Sequence, residues 1–313
     1  MHDDRVGSGP RMLTALLAAV LLGCAHPASS VTVHSLDQIG SKLTTGESRA
    51  FVAEQLQGAP APDRLGTRMP VGLRAATVAK LVLPADASGP ATLVGVKPWT
   101  GYRNRYVAIV CTGGAGPLEP GQPQCARADD ASAAPSRIYL GVIALRNGVP
   151  VVIARGGPFD VAMHWNESGL LREPMAAEDD LGKPTGAAIR PDSVLGFDLA
   201  PRAIGAGGPA FGVVTAWMES YSGGGAFFTG LNLFAIDGRS VRHVFAAPIS
   251  AYSDVAGNWH NNGTRDHTIT DAANILVVSR QRTHGYSDLI VTSANGCWKR
   301  VYRWSAAARA YRA

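Results

Sequence analysis

Three dipeptides constrain this chain more than any other feature: Asn147-Gly148, Asp237-Gly238 and Asn295-Gly296, each set between apolar runs. A two-residue type I′ turn needs positive φ at both central residues, and Asx-Gly supplies it, so each site predicts a β-hairpin. Around the first, residues 137–146 and 149–155 are apolar on both faces (Val142, Ile143, Leu145; Val151, Val152, Ile153). That pattern predicts a hairpin central in a sheet and covered on both sides. Further strand runs are read at 102–111, 194–199, 211–221, 226–236, 240–246, 275–279, 288–293 and 297–304, with Gly223-Gly224-Gly225 as a tight turn. The Asx-Gly turns follow no fixed period, which argues against a regular repeat of blades. The fold class is therefore mainly β: antiparallel sheets joined by hairpins, sandwich or propeller-like, with one or two short N-terminal helices. One such helix is read at residues 47–56, with Val52 and Leu56 on one face and Gly58 at its end.

The last hairpin carries its own register. A two-residue turn at Asn295-Gly296 sets Ala294 opposite Cys297, Ile290 opposite Val301, Leu289 opposite Tyr302 and Asp288 opposite Arg303. Alternation then gathers Trp298, Arg300, Tyr302 and Trp304 on one face with Leu289 and Val291. That face should be buried, with Arg300 lying across a ring or reaching an edge, because a one-residue slip would bury Lys299 and Arg303 instead.

Of 313 residues, 46% are hydrophobic and 17% charged, enough to bury a sizeable core and too apolar for a disordered chain. Coiled coils and polytopic membrane proteins are excluded by the same pattern. The lysines are Lys42, Lys80, Lys97, Lys183 and Lys299; the rest of the 29 basic residues are Arg. The net charge of +5 is spread without a dense basic stripe, so no nucleic-acid partner is expected.

An apolar run at residues 12–24 (MLTALLAAVLLGC), preceded by Arg5 and Arg11, is too short to span a bilayer and suits a signal-peptide core. Its end, Leu21-Leu22-Gly23-Cys24, resembles the bacterial lipobox. The resemblance implies a signal peptide at 1–23 and lipid, palmitate included, on Cys24 as the mature N-terminus. Residues 24–30 would be a tether and 31–313 a single β-rich domain, with a small mixed part at 31–90. With Ala25 rather than Asp after the cysteine, the resemblance implies an outer-membrane lipoprotein facing the periplasm. Export permits disulfides. Cys111 and Cys125 bracket a Gly/Pro-rich loop that can bring its ends together, so they are read as a pair, leaving Cys297 as a buried free thiol. The cysteine and histidine spacings match no zinc motif, and neither a metal nor a cofactor is expected.

The chain holds no Gly-x-Ser-x-Gly elbow, His-Glu-x-x-His helix or Walker loop. Gly205 to Ala210 imitates a dinucleotide fingerprint but leads into a strand run, where no helix N-terminus would meet a pyrophosphate. The densest polar constellation is residues 257–271, with Trp259, His260, Arg265, Asp266 and His267 as the candidate binding residues and Asp254 and His284 a little outside. Three readings stay open for it: a solvent loop anchored by Trp259, a binding loop, or an acid–base or metal site. Met163-His164-Trp165-Asn166-Glu167 is a second, weaker polar–apolar mixture.

His284-Gly285-Tyr286-Ser287-Asp288-Leu289-Ile290-Val291, followed by Trp304 and Tyr311, resembles the ending of FG-GAP-like β modules and of periplasmic lysozyme inhibitors of the invertebrate-lysozyme type. Where FG-GAP modules carry an Asp-rich calcium loop, this chain has Ser279-Arg280-Gln281-Arg282-Thr283. The expectation is a non-catalytic binding module of inhibitor or immunity type, with an envelope protein such as a peptidoglycan hydrolase as partner. The alternatives are an envelope hydrolase using residues 254–267 and a structural lipoprotein without a ligand site.

Overall fold

The structure is a computed structural model that describes residues 30–114, 125, 136–183, 185–205 and 208–313. The expected signal peptide, Cys24 and the expected tether up to residue 29 lie outside the described residues. Strand β1 (Val31–Val33) opens the fold, followed by helices α1 (Ile39–Lys42), α2 (Gly46–Gln57) and α3 (Ala75–Val82). Strands β2 (Ala91–Pro98), β3 (Arg105–Thr112), β4 (Arg137–Arg146) and β5 (Val149–Phe159) then form an antiparallel meander. A surface excursion follows, with the two-residue strands β6 (Met163–His164) and β7 (Ala188–Ile189) paired to each other. The second meander is β8 (Ser193–Ala203), β9 (Pro209–Tyr221), β10 (Gly224–Asp237), β11 (Ser240–Trp259), β12 (Arg265–Thr283), β13 (Tyr286–Ser293), β14 (Lys299–Ser305) and β15 (Ala310–Arg312). Each of its strands pairs antiparallel with the next. The meanders join at one parallel bridge, Ser240 to Arg155.

The protein is mainly β, and the sheets do not close into a barrel. Leu140 and Val142 of β4 meet Phe211, Val213 and Phe234 of the second meander, while Tyr139 and Ile143 on its other face lie under α3. This accounts for the two-faced apolar pattern of β4, whereas β5 is less covered than expected: Val151, Val152 and Ile153 are half-buried and Val149 is exposed. Gly141 permits the close packing: a Cβ there would sit 2.7 Å from Val82 Cγ2. Helix α3 was not read from the sequence. Helix α2 was, with Thr45 capping it through the Ser48 amide and Gly58 at φ 64° closing it. Of its expected face, Val52 is buried, whereas Leu56 is half exposed.

The turns differ from expectation in an instructive way. Asn147 (φ 51°) and Gly148 (φ 78°) form the predicted type I′ turn. In the second hairpin Asp237 pairs with Ser240, so Gly238-Arg239 is the turn and only Gly238 needs positive φ. In the third, Leu289–Tyr302, Ile290–Val301, Val291–Arg300 and Thr292–Lys299 pair as predicted. The connection, however, spans four residues, 294–297: the Gly296 amide donates to the Ser293 carbonyl, and the Ser293 amide to the Trp298 carbonyl. A four-residue loop centred where a two-residue loop would be leaves the register unchanged. The type I′ geometry appears instead at His284 (φ 52°) and Gly285 (φ 83°), between β12 and β13.

Leu289, Val291 and Trp304 are buried with Trp298 and Tyr302 against them, whereas Lys299 and Arg303 face solvent. The Arg300 guanidinium lies 5.7 Å from the Tyr302 ring centre, and Arg303 lies 3.8 Å from Asp288. Cys111 and Cys125 are disulfide-bonded, with Cα atoms 5.7 Å apart. Cys297 corrects the expectation of a buried free thiol. It sits on the exposed 294–297 loop, outside the ladder, and is not free.

Candidate functional site

The polar constellation is not a loop. Strands β11 and β12 run through it, and only residues 260–264 are left as a connection. The ladder with β10 ends at Gly224–Val255, and that with β1 ends at Val33–His267. Beyond both, the hairpin continues to the pair Trp259–Arg265 with no further strand paired to it among the described residues. Trp259 does not anchor the segment to the body: it is 70% exposed. Its partner is local, because Arg265 donates Nε–H to the Gly257 carbonyl at 2.9 Å and holds its guanidinium 5.2 Å from the indole centre.

Strand alternation sends Asp266 and His267 to opposite faces. On one face, Asp266 Oδ1 lies 2.7 Å from His34 Nδ1 and 2.6 Å from His260 Nε2. The two imidazoles meet edge-on, with ring centres 5.6 Å apart. The hydrogen bonds from His34 and then His260 hold the Asp266 carboxyl below its ordinary range. On the other face, His267 Nδ1 lies 2.8 Å from Asp254 Oδ1, and both residues are buried. Burial pushes the Asp254 carboxyl up, and the hydrogen bond and charge of His267 pull against that.

The His267–Asp254 pair opens onto a pocket of about 370 Å³ between α2 and the strands, with Phe51, Leu56 and Tyr252 as its apolar walls and Gly223 to Gly225 as a bare one. Phe51 is fixed there by stacking on Phe227 at 4.3 Å. Burial raises the Tyr252 hydroxyl far above its usual range. A His–Asp pair beside an apolar pocket can orient a polar group of a ligand or move a proton.

The five candidate residues thus divide. Trp259 and Arg265 form the tip, His260 and Asp266 one face, and His267 the other, so the three titratable members do not converge. Sequence reasoning missed His34, which lies 232 residues from Asp266 in the chain. It also missed Asp271, whose carboxylate accepts hydrogen bonds from Thr44, Thr45 and Ser48 and ties β12 to the start of α2. No signal short of the fold connects those positions. In the weaker mixture, Met163 and Trp165 are core residues, and Glu167 pairs with Arg300 at 3.3 Å. No family model, curated protein or solved structure matches this chain.

Proposed function

We propose that this protein is a non-catalytic lipoprotein of the cell envelope that binds a partner protein through the β11–β12 tip. One observation carries the reading: an exposed Trp259, braced by Arg265, stands at the end of a hairpin that outruns both neighbouring strands. Trp and Arg are the side chains most often dominant at protein interfaces, and a braced side chain loses little freedom on docking. The partner class is an envelope protein such as a peptidoglycan hydrolase, which makes this an inhibitor or immunity-type module. The lipobox resemblance supports anchoring through Cys24, at the outer membrane and facing the periplasm. Among the described residues, no helix is long and apolar enough to cross a membrane.

The mature protein should inhibit an invertebrate-type lysozyme or capture a hydrolase from periplasmic extract, and Trp259→Ala should abolish either effect. Equal capture by wild type and Trp259→Ala would remove the tip from the reading. Lipidation consumes the Cys24 sulfur, so intact-mass and non-reducing peptide analysis of the mature N-terminus tests the anchor. A diacylglyceryl mass supports it, and a Cys24–Cys297 peptide would overturn it. The envelope-hydrolase alternative has one observation in its favour, the buried His267–Asp254 pair beside its pocket. Peptidoglycan cleavage that disappears in His267→Gln would favour that alternative.

A further inference from the structure

The exposed face of the same hairpin holds three metal-type donors that no motif spacing connects. His34 Nδ1, just past the end of β1, His260 Nε2 in the connection and Asp266 Oδ1 on β12 all lie within 4.8 Å of one another. Both imidazoles are aimed at the same carboxylate oxygen. The backbones that carry them are held in place. The His34 amide donates to Gln38 Oε1 at 3.1 Å, and the His260 amide donates to the Thr264 carbonyl at 2.8 Å.

We infer that His34, His260 and Asp266 form a binding site for a late first-row divalent cation, Zn²⁺ or Cu²⁺ in class, with a coordination position open to water. Two imidazoles and one carboxylate suit these borderline ions, whereas Ca²⁺ and Mg²⁺ require several more oxygen donors. Bonds of about 2.0–2.2 Å to a tetrahedral ion set the donor atoms roughly 3.3 Å apart. The present contacts of 2.7 and 2.6 Å must therefore open by about half an ångström. The His34 side chain, 70% exposed, is free to supply that movement. An ion here would staple β1, which is held to β12 by three residue pairs, to the base of the projecting tip. The site stands or falls independently of what the tip binds.

The test is titration of the chelator-treated mature protein with Zn²⁺ by calorimetry. One equivalent should bind at micromolar concentration, and His260→Ala and Asp266→Asn should each weaken it by at least about tenfold. His34→Gln keeps a hydrogen-bond donor for Asp266 but removes the imidazole, and it should weaken binding in the same way without changing the melting curve of the metal-free protein. His284→Asn, an exposed histidine outside the cluster, should bind as wild type does. With Cu²⁺ as the probe, the paramagnetic resonance spectrum should show coupling to two imidazole nitrogens, and to one in His34→Gln. Absence of stoichiometric binding, equal binding by all three ligand variants, or loss with His284→Asn would overturn the assignment.

Discussion

The β13–β14 and β11–β12 hairpins are built from the same elements, yet one announces its register in the sequence and the other hides its role. In β13–β14 the inward Leu289, Val291, Tyr302 and Trp304 are apolar or aromatic while Lys299 and Arg303 point outward, so only one register buries the right face. It survived a wrong assignment of the turn for that reason. In β11–β12 some polar residues that look like a loop find partners far away in the chain: Asp266 meets His34 besides the nearby His260, and Asp271 meets the start of α2. A strand whose polar side chains find tertiary partners carries no local mark of being a strand.

The largest test of this contrast is Trp304→Ala. Trp304 is 9% exposed, stacked on Tyr286 at 3.8 Å, and edge-on to Tyr311. Its truncation should cost about 3–5 kcal/mol in urea unfolding. A much smaller loss would show that the C-terminal hairpin is not part of the cooperative core.

The two ends of β11 should respond differently to acid. His243, stacked on Phe234 near the start of the strand, is pushed down by burial from 6.5 to about 4, and its Nε2 has no hydrogen-bond partner among the described residues. Between those values the unfolded chain binds a proton that the folded chain does not, so stability falls as pH drops through that window. The effect should reach about 3 kcal/mol and flatten in His243→Phe, as read from unfolding curves across that pH range.

Asp271→Asn probes the polar half of β12. Removing a carboxylate that accepts bonds from Thr44, Thr45 and Ser48 should cost about 1.5–3 kcal/mol and loosen α2, measured by thermal melts and amide exchange. Wild-type stability in that variant would mean that α2 is held by Val52 and Phe51 alone. Arg303→Ala should have the smallest effect. Arg303 is 63% exposed and lies across the strand from Asp288, so its loss should cost about 0.2–1 kcal/mol in the same unfolding assay. A larger value would mean that the buried Asp288 carboxylate relies on Arg303 for its charge balance.

Much of the architecture was legible because hairpins are local. Asn147-Gly148, the apolar β4, the helix closed by Gly58 and the Cys111–Cys125 loop each depend on residues close in the chain. Helix α3 was not legible: its residues AATVAKLV carry no capping side chain, and it is specified by the β4 surface it covers. Of the site, Trp259, Arg265, His260, Asp266 and His267 were legible as residue types, but their division between tip and two faces was not.

By itself the sequence determined the hairpin at Asn147-Gly148, which face of the last hairpin turns inward and which two cysteines close a loop, because alternation and turn chemistry act within a few residues. Only the tertiary structure decided that His34 joins His260 and Asp266, that His267 turns away to Asp254, and that Asp271 ties β12 to α2. Those contacts depend on strands brought together by burying apolar surface elsewhere, and a short-range pattern carries no record of a partner more than two hundred residues away.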